Sequence, residues 1–238
     1  MNRTIVLAKK EINSYLNSPL GYIVAGVFLV ASGYLFMQGF FIAGQVSMRG
    51  FFALMPAVLL FILPAVTMSS WAEEKRSGTA EVLLTLPLEN GQTVLGKFLA
   101  AFSFLAMLLI LTFAIPMMLG DLGTYDGGAV LAGYIGTLFL GAAYIAIGLW
   151  VSSVTKNQIT AFLMALVVIF LFYIVGSSFL LDSMPALAAT LGKNLSLATH
   201  FNSILRGVIS LKDIVYYVSV VILFLFLNAQ AVRERKWR

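Results

Sequence analysis

Six long apolar segments dominate the chain, at about 20–43, 51–70, 94–119, 129–151, 158–181 and 213–231. Each comes close to the roughly 20 residues that a helix needs to cross hydrocarbon. Pro56, Pro64 and Pro116 fall inside or near the ends of these segments, where neighbouring helices satisfy the carbonyls that a proline frees. Ahead of the first segment, residues 2–18 set Ile5, Ile12 and Leu16, with Leu7 and Tyr15 nearby, among Arg3, Lys9, Lys10 and Glu11. That spacing predicts a basic amphipathic helix lying in the interface. No short apolar core with a small-residue cleavage site follows the basic end, so a signal peptide is not expected. Asn17-Ser18-Pro19 reads as a turn that starts the next helix. Residues 182–212 are too polar and broken to span, and predict one or two short helices dipping into the outer leaflet. The pattern as a whole predicts an all-α membrane protein of one domain, residues 1–238. It consists of an interfacial helix (1–18), spans one to five (20–181), an external helical segment (182–212), and span six with a basic tail (213–238).

Composition supports this reading. Of 238 residues, 61% are hydrophobic and 11% charged, whereas a soluble domain carries about 25% charge. The absence of cysteine rules out disulfides and thiol chemistry. The single histidine, His200, builds no metal cluster alone and is expected to be interfacial. The net charge of +5 follows membrane sidedness rather than nucleic-acid binding. With six spans, one side holds Arg3, Lys9, Lys10, Lys75, Arg76, Lys97, Lys156, Arg233, Arg235, Lys236 and Arg238. The other side holds Arg49, Lys193, Arg206 and Lys212. The positive-inside rule then predicts that both termini and the 71–93 loop are cytoplasmic, with Trp237 and the tail cations anchoring the last span.

The densest charge lies in Trp71–Pro87, between the second and third segments. Glu73, Glu74, Lys75, Arg76 and Glu81 must face water or a partner. Val82, Leu83 and Leu86 then form one apolar stripe on a short helix. Gly78 breaks the backbone before that helix, Thr79 is positioned to cap it, and Pro87 ends it. The expectation is a surface helix with its apolar side to the bundle and its charged side to a soluble protein. A plain solvated loop is the alternative.

Other patterns carry less. Gly91–Lys97 reads GxxxxGK, but Phe98 stands where a phosphate loop needs Ser or Thr for magnesium, and the run opens a membrane span. Lys97 is expected to anchor the third span. Gly176-Ser177-Ser178 has no base in reach for catalysis. Gly133, Thr137 and Gly141, at spacings of four, suit close helix packing within the chain, with a subunit interface as the alternative. Asp121 and Asp126 lack the rest of a calcium loop and are expected to be solvated. No charge is expected deep within a span, so any energy arrives from outside the bundle.

The run Glu73-Glu74-Lys75-Arg76-Ser77-Gly78-Thr79-Ala80-Glu81-Val82-Leu83-Leu84-Thr85-Leu86-Pro87 resembles the loop after the second span of ABC-2 type transporter permeases. In that family a charged run leads into Gly-Thr-Leu-Glu, leucines and a Thr-Pro ending. This chain has Ala80 where leucine is common, and Leu86 between Thr85 and Pro87. Leu95-Gly96-Lys97 and Ser152-Ser153-Val154-Thr155-Lys156-Asn157-Gln158 are similar to the family too, and the likeness covers essentially the whole chain. Within the family the chain is most similar to the gliding-motility permease and its nitrous-oxide-reductase-maturation relatives.

The resemblance implies a half-transporter in a bacterial inner membrane. Two permease subunits, identical or not, pair, and the cytoplasmic loop of each docks as a coupling helix on a separate ATPase. Glu73, Glu74, Arg76, Gly78, Thr79 and Glu81 match the family pattern and are the implied interface. ATP and magnesium would be bound by the partner, and this chain would need no cofactor or metal and catalyse nothing. Two functions fit: a permease that moves a substrate, or a mechanical anchor that moves nothing through itself.

Overall fold

The computed structural model describes residues 3–43, 47–78, 90–123, 126–183 and 185–235, and every regular element within them is a helix. In chain order these are α1 (Arg3–Asn17), α2 (Pro19–Ala43), α3 (Arg49–Thr67), α4 (Ser69–Arg76), α5 (Asn90–Leu111) and α6 (Ala114–Leu122). They continue as α7 (Gly127–Val154), α8 (Gln158–Ile174), α9 (Ser178–Leu181), α10 (Ala186–Leu195), α11 (Leu197–Leu205) and α12 (Leu211–Arg235).

Among the described residues five stretches are long and apolar enough to cross a membrane: Pro19–Phe41, Arg49–Arg76, Asn90–Asp121, Gly127–Val154 and Leu211–Arg233. The predicted fifth segment is shorter than expected. Its helix, α8, has 17 residues and closes in a tight turn, with Ser177 N donating to Ile174 O at 2.8 Å. Even so, α8 runs from one end of the bundle to the other. Gln158 at its start donates to Glu73 on α4, and the Tyr173 carbonyl near its end accepts from Ser196 Oγ, 3.4 Å away beside α11. At 1.5 Å per residue a helix of this length measures about 25 Å.

The predicted third segment also differs, dividing between α5 and α6. Pro116 has no N–H to offer the Thr112 carbonyl one turn back, and Ile115 N bonds that carbonyl instead at 3.0 Å.

The centre of the bundle is α7, packed by α3, α5, α8, α11 and α12. Leu140 and Ala143–Ile147 are fully buried. Its small residues admit neighbours of the same chain. A Cβ on Gly148 would stand 2.2 Å from Thr67 Oγ1, and one on Gly141 would stand 2.2 Å from Leu105 Cδ2. The small-residue stripe thus serves packing within the subunit, as expected. Asp126, expected to be solvated, caps the start of α7 by accepting from Gly128 N at 2.9 Å and Ala129 N at 3.3 Å.

The outer faces are apolar. Tyr22, Ile23, Val27 and Val30 on α2, and Val215, Ile222 and Phe226 on α12, are all exposed. Contiguous apolar surface of this kind belongs against hydrocarbon, and the chain is a multi-pass helical membrane protein.

Candidate functional site

The charged segment after the second span begins as helix, not loop. The chain passes from α3 into α4 through Met68, and one side chain marks the joint. Ser152 Oγ, from the end of α7, accepts from Trp71 N and Ala72 N, each at 3.2 Å, and donates to Met68 O at 3.0 Å. In an unbroken helix Ala72 N would bond Met68 O directly. The serine hydroxyl stands between the two, which is a recognised cause of a local helix break. Lys75 completes the attachment. Its Nζ donates to Ser152 O at 3.2 Å, to Thr155 O at 2.9 Å and to Ser153 O. These carbonyls close α7, where a cation satisfies orphan acceptors and opposes the negative end of the helix dipole.

On its other side α4 meets α5 and α1. Lys97, expected to anchor the third span, lies two turns into α5. Its side chain is 1% exposed, with Nζ 2.7 Å from Glu74 Oε1 and 3.4 Å from Glu11 Oε1. It also donates to Ser70 O at 2.8 Å and lies 4.9 Å from the centroid of the Trp71 ring. A lysine is buried here because two carboxylates, a carbonyl and an aromatic face replace its water. Beside it Tyr15 OH and Ser70 Oγ share a hydrogen bond of 3.1 Å. Loss of hydration pushes the Tyr15 phenol up to about 12, so it stays protonated. The amphipathic α1 therefore does more than lie in an interface: it packs along α5 and joins α4 through Glu11 and Tyr15.

The implied interface residues fall into three groups. Glu73, Arg76 and Gly78 are exposed on α4 and just beyond it, and Gln158 Nε2 donates to Glu73 Oε2. Glu74 turns inward to Lys97. Thr79 and Glu81, with the apolar stripe of Val82, Leu83 and Leu86, lie outside the described residues. At the end of α4, Ser77 N donates to Glu73 O at 2.9 Å, and Gly78 adopts φ +72°. That left-handed conformation favours glycine and stops the helix.

At the opposite end of the bundle, His200 has a partner that the sequence reading missed. His200 Nδ1 lies 2.6 Å from Asp213 Oδ1, and both side chains are buried. His200 Nε2 lies 3.2 Å from Asn194 O, and the ring stacks on Tyr216 at 3.9 Å between centroids. A spacing of 13 residues across a turn gave no local signal of the pairing.

A bundle of apolar helices, with a helical arm rooted among its charged side chains at one end, defines the class: a multi-span helical membrane protein. The sequence matches the model of the family described as ABC-2 family transporter protein over residues 8–232, and the chain belongs to that family. Curated relatives include the "Probable multidrug ABC transporter permease YbhS" of Escherichia coli strain K12 and that of strain O157:H7. Each is 32% identical over 162 residues. The alignment covers 66% of this chain and 42% of the relative, so the chain spans less than half the length of the curated relatives it matches.

Proposed function

We propose that the chain is the transmembrane permease subunit of an ABC transporter, pairing with a second permease subunit and driven by a separate cytoplasmic ATPase. The observation that carries this reading is the rooting of α4. It continues the second span, is fixed to α7 by Ser152 and Lys75 and to α5 by Glu74–Lys97, and stops before Gly78 with Glu73 and Arg76 exposed. A force applied to residues 73–76 therefore reaches spans two, three and four as a rigid-body displacement. Thr79 and Glu81 follow in the sequence, outside the described residues.

Six spans cross an inner membrane, with α8 as the fifth. The Lys97 end then faces the cytoplasm, which places Lys9, Lys10, Lys75, Arg76, Lys156 and Arg233 inside, as the positive-inside rule requires. ATP and magnesium are held by the partner, and this chain contributes no catalytic group. The named relatives favour a permease over a mechanical anchor, with movement of a substrate as the output.

The test is co-purification of the chain with its nucleotide-binding subunit in mild detergent, followed by an assay of ATP hydrolysis. The complex is expected to hydrolyse ATP and the isolated chain to hydrolyse none. Turnover by the isolated chain overturns the reading.

A further inference from the structure

Three of the four basic residues assigned to the outer side line a single pocket. Lys193 at the end of α10, Arg206 just after α11 and Lys212 at the start of α12 surround a cavity of about 410 Å³. All three are exposed, and no ion pair to any of them occurs among the described residues. A membrane protein keeps few cations on its outer side, so gathering three of them in one cavity calls for an anion.

Further features point the same way. The first turn of the 25-residue α12 opens into this cavity through Ser210, Lys212 and Asp213, which adds the positive end of a helix dipole. Asp213, the one acid among the described residues of the lining, has its Oδ1 engaged by His200 at 2.6 Å. Its Oδ2 is buried with no hydrogen-bond partner. The surroundings are apolar. Val208 is exposed at the cavity and Leu211 beside it. Leu187, Leu191 and Leu195 are exposed at spacings of four along α10, one face of a helix suited to acyl chains.

We propose that this pocket binds the headgroup of an anionic phospholipid of the outer leaflet. The phosphate sits among Lys193, Arg206 and Lys212, and a headgroup hydroxyl donates to Asp213 Oδ2. The outer sidedness rests on the topology proposed above; the pocket's charge does not. Phosphatidylglycerol, which carries both a phosphate and free hydroxyls, matches the lining. The site ties α10, α11 and α12 to the lipid and holds the external segment at a fixed depth.

The experiment is native mass spectrometry of the purified chain in detergent, titrated with phosphatidylglycerol or phosphatidylcholine. It reads neither ATPase binding nor orientation, so its failure is separable from failure of the permease reading. The wild type is expected to retain phosphatidylglycerol in preference to phosphatidylcholine. A Lys193→Gln, Arg206→Gln, Lys212→Gln triple variant should bind it about tenfold or more weakly, since each basic residue near a surface contributes a factor of roughly five before screening. Arg49→Gln, the fourth external cation, should bind as the wild type does. The charge-keeping Lys193→Arg, Arg206→Lys, Lys212→Arg variant should retain the lipid. Equal retention by the neutral triple variant overturns the proposal. Equal loss in Arg49→Gln overturns it in favour of diffuse charge. Displacement of the lipid by micromolar inorganic phosphate overturns the lipid source in favour of a soluble phosphate ligand.

Discussion

Lys97 Nζ stands 2.7 Å from Glu74 Oε1, inside the junction of three helices. The pair joins a residue of the third span to one of the charged run, and Glu11 at 3.4 Å brings α1 to the same ammonium. Glu74 therefore contributes to any engagement at this face by fixing α4, while its neighbours Glu73 and Arg76 present charge outward.

Removing the lysine leaves Glu74 and Glu11 beside each other with no cation between them. Lys97→Met is expected to destabilise the chain by about 3 kcal/mol, the usual cost of breaking one side of a covered pair. Glu74→Gln should cost less, because its carboxylate is partly exposed and Glu11 still serves the lysine. Thermal unfolding in detergent of both single variants and the double variant checks this. The double should be more stable than the sum of the singles predicts, and simple additivity would contradict a direct pairing.

Ser152→Ala removes the hydroxyl from the joint between α3 and α4. Trp71 N then loses its partner, with a loss of about 1–3 kcal/mol, while Ala72 N and Met68 O are released to bond each other. α4 should straighten onto α3. Spin labels on Ser77 and on Gln158, each introduced through cysteine in this cysteine-free chain, would report a changed separation. An unchanged distance would count against the serine as the cause of the break.

Gly148→Ala sets a methyl group 2.2 Å from Thr67 Oγ1, on a β-branched side chain with little freedom to move. A loss of about 1–3 kcal/mol is expected, with partial recovery in a Gly148→Ala, Thr67→Ala double variant. Oligomeric state in detergent should not change, because the contact lies within one chain. Dissociation of an oligomer without loss of monomer stability would assign α7 to a subunit interface instead.

Topology is open to direct labelling. Asn202→Cys should react with a membrane-impermeant maleimide in intact spheroplasts, and Ser77→Cys only after lysis. Labelling of both from the same side would mean that α8 does not cross.

Much of the helical architecture was legible in the sequence because apolar length alone sets it. The start of α2 at Pro19, the break before Gly127 and the turn at Thr155–Asn157 all follow from local turn and cap residues. Span ends were less legible. α4 extends the second span through Glu73–Arg76 because Lys97, the α7 carbonyls and Gln158 satisfy its charges, and those partners are remote in sequence. The same holds for Lys97 itself, which reads only as an anchor of the third span until Glu11 and Glu74 are brought to it. His200 looked solitary because Asp213 reaches it from another helix. Charge identity is local information, but charge pairing is tertiary.

The central claim is that α4, rooted in the bundle, delivers an outside force through its exposed charges. It is tested most directly by measuring ATPase binding and ATP turnover in the reconstituted complex for Arg76→Glu against Arg49→Gln at the far end. The account predicts that Arg76→Glu loses at least about tenfold in binding with unfolding temperature unchanged, while Arg49→Gln binds and turns over as the wild type does. Wild-type binding and turnover in Arg76→Glu would contradict it.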